Sequence, residues 1–396
     1  MAPKPRTPAS MRVRSAVRPV LREFAGIRGE DHQPLVLVAL SGGADSLALA
    51  AAVAAEAVGA EVRAGAVVVD HGLQAGSAEV ASRAAAQARG LGLDPVLVRR
   101  VVVGGKKISP ENTESGGQRM PAGEILWGVG QTDPRGAWPA DKTGGPEAAA
   151  RSARYEAFAS VARETGAGLL LTAHTRDDQA EQVLLALARG SGTRSIAGIP
   201  SRREIAPGVH VARPLLAEQF EVTRAVTEAS CAELALEPWQ DPHNADPTYA
   251  RVRVRTTALP LLERELGRGF GAALARSADL AREDADALDA LAEEHLDAIA
   301  RYRRGGDEAD ALATGETSGG EDRQVLLSVD ALQVLPAALR GRVIRLASER
   351  TFDAQLTREH TLAIASLVTA WRGQGPIHAP RIVVMREAGN LVIRPS

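Results

Sequence analysis

The segment Ser41–Ser46 (SGGADS) joins an apolar run, Leu35–Leu40, to a helix-forming run, Leu47–Ala55. A strand that passes through a glycine turn into a helix directs several backbone N–H groups at one point, where the helix dipole adds positive potential. Glycine lets the backbone approach an anion closely because it has no Cβ atom. The lysine of a Walker A loop is missing. A plain turn is the alternative, but six such residues between a strand and a helix favour a loop that binds phosphate or pyrophosphate.

Short apolar runs alternate with helix-forming runs through the first half of the chain. The runs of strand character are Leu35–Leu40, Val62–Asp70, Asp94–Val103 and Leu169–Ala173. Helix-forming stretches occupy about 45–58, 77–91, a stretch from Pro146 onward, and about 176–190. This alternation is typical of a parallel sheet with helices on both faces. We therefore predict an α/β fold with a doubly wound parallel sheet, in which ligands bind at the carboxyl ends of the strands.

Polar residues that are suited to catalysis follow two further strands of this predicted sheet. Asp70 and His71 end the second strand, and His174 follows the fourth. Asp178 and Glu181 lie at the start of the next helix, where the dipole favours acidic side chains. An acidic helix cap is the simpler alternative for the two carboxylates. Their expected place beside the phosphate loop favours a functional site.

A magnesium ion is a further expected component of this edge of the sheet. Mg²⁺ that bridges substrate phosphates usually takes one or two protein carboxylates. Asp45 lies in the phosphate loop, and Asp178 or Asp177 would face it. The sequence predicts Asp45 and Asp178 as the metal ligands, with Asp177 as the alternative to Asp178.

Arginines accompany aromatic residues in two segments. The helix that begins at Pro146 carries Arg151 and Arg154, three residues apart, for which a surface salt bridge and a contact to phosphate are both open. A second segment, 238–255, is either a loop between helices or an RNA contact that combines stacking with phosphate binding. The predicted RNA contacts in these segments are Arg154, Tyr155, Trp239, Arg251, Arg253 and Arg255.

The 396-residue chain is long enough for two or three domains. We predict a basic N-terminal helix within 1–30, a phosphate-loop domain at 31–225, a helical linker at 226–275 and an α+β domain at 276–396. The last domain would contain a long amphipathic helix within 261–304, helical runs at 330–350 and 356–372, and a β-hairpin at 381–394. Two glycine-rich segments, 104–146 and 305–323, are predicted to be an insertion beside the active site and a solvated acidic loop.

Composition excludes several classes of protein. The net charge of −2 gives no global signal for nucleic acid, so an RNA surface must be a local patch. A single cysteine, Cys231, excludes a disulfide framework and any Cys-rich metal site. No run of 18 apolar residues and no apolar stretch after the basic N-terminus is present, so we expect neither a membrane span nor a secretory signal. A cytoplasmic protein is expected, and a homodimer is compatible with the sequence.

The SGGxDS pattern resembles the loop of the N-type ATP pyrophosphatases, also called PP-loop enzymes. With the other motifs, the chain more specifically resembles the bacterial tRNA(Ile)-lysidine synthetases, strongly over about 30–260 and more weakly through TAWRGQGPI at 369–377. The matching stretches are SGGADS at 41–46, VDHGLQ at 69–74, GPEAAARSARYEAF at 145–158, AHTRDDQAEQVLLALARGSG at 173–192, RPLL at 213–216 and WQDPHNADPTYARVRVR at 239–255.

The resemblance implies ligation of lysine to carbon 2 of the wobble cytidine in the isoleucine tRNA with a CAU anticodon. ATP would adenylate the base with release of pyrophosphate, and the lysine amine would then displace AMP. The implied ATP contacts are Ser41, Gly42, Gly43, Ala44, Asp45, Ser46, Asp70 and His71, and the implied catalytic residues are Asp45, Arg151, His174, Asp178 and Glu181. Asp45 would steer Mg²⁺, Arg151 would stabilise charge on the α-phosphate, and Asp178 or Glu181 would orient and deprotonate lysine.

This sequence departs from the family pattern at several positions. Gln74 replaces the arginine that usually follows VDHGL in the family. The family's Asn-Arg-Ile-Arg run is replaced here by Val-Arg-Val-Arg at 252–255. The 104–146 insertion is also longer than expected for the family.

The rival functions are a different PP-loop enzyme, such as a tRNA thiolase or an amidotransferase-linked synthetase, and a non-catalytic tRNA-binding protein. Glutamine-dependent synthetases need an amidase, and no N-terminal or Cys-centred amidase motif is present. Thiolases of this fold generally need paired cysteines, which this chain lacks. The intact phosphate loop and the His-Asp-Asp-Glu set argue against a protein without catalytic activity.

Overall fold

A computed structural model describes residues 7–27, 33–70, 72, 76–101, 146–304 and 323–396. These residues form two compact units, one that extends to Ala281 and one that runs from Arg282 to Ser396. Most of the predicted insertion 104–146 and of the acidic loop 305–323 lies outside the described residues, as does His71. Within the described parts of the chain, no helix is long and apolar enough to cross a bilayer.

The first unit contains a six-stranded sheet and its covering helices. Its strands are β1 Leu35–Leu40, β2 Arg63–Asp70, β3 Val96–Arg100, β4 Leu169–Leu171, β5 Arg202–Ala206 and β6 Val209–Ala212. Its helices are α1 Ala9–Ile27, α2 Ala44–Ala57, α3 Ser77–Gly90, α4 Pro146–Thr165, α5 Arg176–Ala188, α6 Thr193–Ile196, α7 Arg224–Glu233, α8 Ala250–Arg253 and α9 Leu259–Leu266. Helix α10, Phe270–Ile299, starts in this unit and continues into the second.

The sheet has the strand order β3-β2-β1-β4-β6-β5, and only β5 runs antiparallel to its neighbour. Alternate residues of β1 enter two separate cores. Val36, Val38 and Leu40 pack with α1, α2 and α3, whereas Leu35 and Leu37 pack with α4. Apolar residues on both faces explain the unbroken LVLVAL run. The predicted doubly wound sheet is confirmed.

Strand β1 is the point at which the strand order reverses. The chain proceeds from β1 to β2 and β3 on one side, and β4 and β6 lie on the other. The carboxyl ends of β1 and β4 therefore flank a crevice, which is the usual ligand position in an open α/β sheet. Both the SGGADS loop and His174 follow strands at this crevice.

The basic N-terminal helix is part of the first unit. Apolar residues of α1, such as Val17 and Leu21, are fully buried against α2. Arg14 and Arg18 place their Nε atoms 2.6 and 2.7 Å from the carboxylate of Glu56 in α2. These positive charges are therefore compensated within the protein.

The second unit pairs an antiparallel sheet with the C-terminal part of α10 and with three further helices. Its strands are β7 Ala300–Arg304, β8 Arg323–Ser328, β9 Ile377–Ala379, β10 Ile382–Glu387 and β11 Asn390–Pro395, in the order β7-β8-β11-β10-β9. Its helices are α11 Val329–Val334, α12 Ala337–Phe352 and α13 Arg358–Thr369, which share one apolar core with the sheet. The predicted small α+β unit and its terminal hairpin are confirmed, whereas β7, β8 and β9 were not predicted.

Candidate active site

The SGGADS loop connects β1 to α2 in the predicted strand–turn–helix arrangement. Gly42 has a φ of +84°, a conformation that residues with a Cβ atom rarely adopt, and Gly43 is the N-cap of α2. The buried Ser46 hydroxyl donates to Gly43 O at 2.9 Å and accepts from Ser41 N at 3.2 Å. The Ser46 side chain thus fixes the loop, and the N-terminus of α2 opens toward the crevice.

A distant segment packs against the same loop. Trp239 N donates to Gly42 O at 2.9 Å. A Cβ atom at Gly42 would lie 3.9 Å from Trp239 Cβ and 3.4 Å from Ala84 Cβ. The structure therefore places Trp239, a predicted RNA contact, beside the phosphate loop through its backbone.

Asp45, in the first turn of α2, is the centre of a network that reaches α7. The Thr227 hydroxyl donates a hydrogen bond to Asp45 Oδ1, and Arg224 Nη2 lies 3.7 Å from Asp45 Oδ2. Burial raises the pKa of Asp45 to about 6 and outweighs the hydrogen bond from Thr227 and the charge of Arg224, which both lower it. The carboxylate is therefore partly protonated near pH 6.

The acidic residues at the start of α5 lie close to the same arginine, Arg224. Thr175 and Asp178 form a capping box in which Thr175 N donates to Asp178 Oδ2 at 2.9 Å. The other oxygen, Oδ1, lies 3.9 Å from Arg224 Nη2. Asp177 Oδ2 accepts from Arg224 N at 2.6 Å, and burial raises the pKa of Asp177. Arg224 thus joins the phosphate-loop carboxylate of Asp45 to the carboxylates of α5.

Glu181 is 1 % exposed and paired with two arginines. Its Oε2 lies 2.8 Å from Arg251 Nε, and its Oε1 lies 2.5 Å from Arg255 Nε. The same arginines place Nη2 atoms 3.5 and 3.7 Å from Asp178 Oδ1. Residues 250–266 form a helix with a π-helical turn at Val254–Ala258, so Arg251 and Arg255 share a face. Both predicted RNA contacts therefore lie within the carboxylate site.

Arg253 and Arg154 differ from these paired arginines in their exposure. Arg253 is exposed, and its Nη1 donates to Pro247 O and Thr248 O at 2.7 Å each. Arg154 is exposed on α4. Asp70 is buried at the end of β2, where its Oδ1 accepts from Gly72 N at 2.9 Å. Asp70 therefore stabilises the turn after β2 in this structure.

A second group of arginines surrounds Tyr155. Arg213, which is 3 % exposed, donates from Nη2 to the Tyr155 hydroxyl at 2.9 Å and from Nη1 to Pro200 O at 2.7 Å. The guanidinium carbons of Arg203 and Arg151 lie 4.5 and 5.6 Å from the centre of the Tyr155 ring. The Nε atoms of Arg213 and Arg203 are buried without a partner in the described part of the protein. Clustered cations with unused donors suit an anionic ligand.

His174 lies next to this arginine group at the end of β4. Its Nδ1 is 3.2 Å from the Thr172 hydroxyl. Burial lowers the pKa of His174 well below its usual value, and the positive charges of Arg213 and Arg251 lower it further. His174 is therefore neutral at physiological pH.

Four site residues were not among the sequence-based candidates. Arg224 and Thr227 lie on α7 and carry no motif, and Arg203 lies on an unpredicted strand. Arg213 begins the RPLL stretch, which was the one available signal for it. Tertiary contacts alone identify the other three.

Two family models match the chain. The first family model, which is described as a PP-loop domain, matches residues 16–116 and 131–262. The second family model, which is described as a TilS substrate binding domain, matches residues 327–392. Among the described residues, the first match lies in the first compact unit and the second match lies in the second.

Curated relatives cover nearly the whole chain. The tRNA(Ile)-lysidine synthase of Leifsonia xyli subsp. xyli is 47 % identical over 361 residues, which are 91 % of this chain and 90 % of the relative. The enzyme of the same name from Streptomyces coelicolor is 42 % identical over 91 % of this chain and 85 % of its own. A solved structure, the U34-tRNA thiolase NcsA from Methanococcus maripaludis with its [4Fe-4S] cluster, aligns with a TM-score of 0.47 and 17 % identity, over 69 % of this chain and 78 % of that chain. A match of that size carries no argument about activity.

Proposed function

Since the chain belongs to the tRNA(Ile)-lysidine synthase family, we propose that its site ligates lysine to carbon 2 of the wobble cytidine in the CAU-anticodon isoleucine tRNA. The cytidine oxygen attacks the α-phosphorus of ATP, and pyrophosphate leaves. The ε-ammonium of lysine then loses a proton, the free amine attacks carbon 2, AMP leaves, and the nitrogen now bonded to carbon 2 releases a second proton. The observation that carries this function is the placement of Arg224 between Asp45 of the phosphate loop and Asp178 of α5, at 3.7 and 3.9 Å. ATP and the second substrate would thus meet in one crevice, and these substrates suit a cytoplasmic enzyme.

The SGGADS loop holds the pyrophosphate that becomes the leaving group. Backbone N–H groups at Gly42–Ala44 and the N-terminus of α2 supply positive potential without a lysine. The hydrogen bonds from Ser46 keep this loop in one conformation before ATP binds. A fixed set of donors costs little reorganisation when charge develops on the leaving group.

Mg²⁺ would bind here together with the phosphates of ATP. Among the described residues, no group of three or more His, Cys, Asp or Glu side chains could hold a metal ion. Mg²⁺ in nucleotide sites commonly takes one or two carboxylates together with phosphate oxygens. Asp45 and Asp177 would supply these carboxylates, since we assign Asp178 to the lysine ammonium. The ion would neutralise charge on the phosphates.

The arginines around Tyr155 suit the negative charge of the α-phosphate and of the approaching RNA. Arg213 has an unused Nε donor, and its two Nη atoms are already fixed by Tyr155 and Pro200. The guanidinium carbon of Arg151 lies 5.6 Å from the centre of the Tyr155 ring. A guanidinium that is held in place stabilises a developing oxyanion more effectively than a mobile one. Neutral His174 adds a polar group without adding charge.

The carboxylates of α5 suit the lysine ammonium group. Both Glu181 oxygens are paired with arginines, so we assign Glu181 to positioning Arg251 and Arg255. Asp178 Oδ1 is 3.5 Å or more from each of its arginine neighbours, which leaves it as the better acceptor for the lysine ammonium. The amine must lose a proton before it attacks carbon 2, and Asp178 is placed to take it.

The second unit, within the predicted domain 276–396, is proposed to bind tRNA outside the reacting base. Its match to a substrate-binding family model over 327–392 supports this assignment. The thiolase alternative is disfavoured because Cys231 is 1 % exposed, and burial raises the pKa of its thiol to about 11.

Transfer of labelled lysine to tRNA tests the whole proposal. Purified protein with ATP and Mg²⁺ is supplied with the CAU isoleucine tRNA or with the methionine tRNA, which shares the anticodon sequence. We expect incorporation into the isoleucine tRNA alone, with one pyrophosphate released per lysine. Pyrophosphate release with some other acceptor would retain the ATP site and reject lysidine formation.

A further inference from the structure

Trp371 is a partly exposed aromatic side chain in the second unit. It follows the C-terminal end of α13, with 39 % of its surface exposed. It is the one tryptophan that the described part of this unit contains. Burial of the whole indole ring would remove more apolar area from water, so its partial exposure points to a ligand that covers the ring.

The turn that carries Trp371 is held in one conformation. Gln374 Nε2 donates to Ala370 O at 2.9 Å, and Gln374 Oε1 accepts from Arg372 N at 2.6 Å. Gly373, at a φ of +84°, allows the tight return of the chain. The Gln374 side chain thus bridges the two residues that flank Trp371. Little conformational entropy remains to be lost when a ligand binds the ring.

Arg386 supports the indole ring. Its guanidinium carbon lies 5.5 Å from the ring centre, and its Nη1 donates to Leu367 O at 3.0 Å. The hydrogen bond to α13 fixes the cation against the ring. Arg372, next in the chain, is exposed and adds a second positive charge at this surface. Together these groups form an aromatic surface with adjacent cations.

This combination suits an unpaired nucleobase with its phosphate. Bases stack on aromatic side chains whatever their identity, and adjacent arginines contact the RNA backbone. We propose that Trp371, supported by Arg386 and flanked by Arg372, stacks on an unpaired base of the tRNA substrate. This inference rests on the proposed function for the identity of the RNA. It assigns to the second unit a specific contact, formed outside the phosphate-loop site.

The alternative is that the indole only covers the apolar core of the unit, which includes the fully buried Leu367. A cover needs apolar area alone, whereas stacking needs an aromatic ring. Trp371→Leu and Trp371→Phe separate these roles, because leucine retains apolar bulk without a ring and phenylalanine retains a ring. Leu362→Ala removes an exposed apolar side chain, 58 % accessible, from α13, the helix that precedes Trp371, and is the matched control.

The experiment measures the Kd of the full chain for the CAU isoleucine tRNA at fixed ionic strength, together with kcat and KM for lysine transfer. We expect Trp371→Leu and Trp371→Ala to weaken tRNA binding at least about fivefold. We expect Trp371→Phe and Leu362→Ala to stay within about twofold of the wild type. The loss should appear in KM for tRNA, with kcat at saturating tRNA unchanged.

If the Trp371→Leu and Trp371→Phe variants bind the tRNA with the same Kd, stacking is rejected. This comparison remains valid even if Trp371→Ala fails to fold. Thermal unfolding of each variant identifies such a failure. Lysine transfer by the wild-type chain on the same tRNA is measured in parallel. A wild type that binds this tRNA without modifying it would reject the proposed function, while the comparison of variants would still decide the stacking site.

Discussion

The hydroxyl of Thr227 donates a hydrogen bond to the carboxylate of Asp45, although the two residues are 182 positions apart in the chain. Asp45 lies in the phosphate loop and in the first turn of α2, and Thr227 is fully buried on α7. This bond holds one carboxylate oxygen, so that the other, Oδ2, is directed toward Arg224. The position of a proposed catalytic group therefore depends on a helix that shows no motif.

Replacing Thr227 with valine tests this relationship. Valine preserves the shape of the side chain but removes the donor, and a hydrogen bond to a charged group contributes about 1.5–3 kcal/mol. We expect adenylation, measured as tRNA-dependent pyrophosphate release, to fall about ten- to a hundredfold. Thr227→Ser keeps the hydroxyl and should remain within about threefold of the wild type. A valine variant as active as the serine variant would contradict a positioning role.

Asp45→Asn should abolish adenylation and should raise the unfolding temperature at high pH but not at low pH. The pKa of Asp45 is raised from 3.8 to about 6 in the folded protein, so the folded state binds a proton more readily than the unfolded state. The charged side chain therefore destabilises the fold above pH 6, by about 1–3 kcal/mol, and this cost disappears as the pH falls toward 4. We expect the asparagine variant to lose adenylation and to unfold at a higher temperature than the wild type at pH 8. The difference should shrink at pH 4.5, and a difference independent of pH would contradict the raised pKa.

Glu181→Gln should destabilise the first unit strongly. The buried carboxylate neutralises Arg251 and Arg255, and removal of one partner leaves charges in a partly buried site. We expect a loss of about 2–4 kcal/mol in the free energy of unfolding, measured by urea denaturation. Arg253→Ala changes an exposed arginine on the same helical segment and is the matched control, with an expected loss below about 1 kcal/mol. Similar losses in both variants would show that the pairing of Glu181 contributes little.

Arg213→Ala tests the anion site around Tyr155. The substitution removes the buried guanidinium whose Nε has no partner among the described residues. We expect kcat/KM for lysine transfer to fall at least about a hundredfold, because a donor aimed at developing charge is lost. Arg202→Ala, on the neighbouring strand β5, breaks an exposed ion pair with Glu23 and should leave the rate within about twofold. Equal rates in the two variants would remove Arg213 from the mechanism.

The sequence by itself determined the elements whose signals are local. The LVLVAL run, the glycine turn and the alanine-rich helix specify the phosphate loop, because strand burial, positive φ and helix propensity all act within a few residues. The alternation of strands and helices specified the doubly wound sheet, and the joint motifs specified the family. The strand pair β5–β6 and the strands β7, β8 and β9 were missed, since segments of three to six residues have weak periodicity.

The tertiary structure decided which charges meet. Alternating arginines at 251, 253 and 255 suggested one RNA-facing set, yet the helix places Arg251 and Arg255 against Glu181 and leaves Arg253 exposed. Four residues make one helical turn, so the backbone conformation determines the face on which each arginine lies. Thr227 reaches Asp45 only because α7 packs beside α2. Such contacts depend on the packing of distant segments, which a local sequence pattern does not encode.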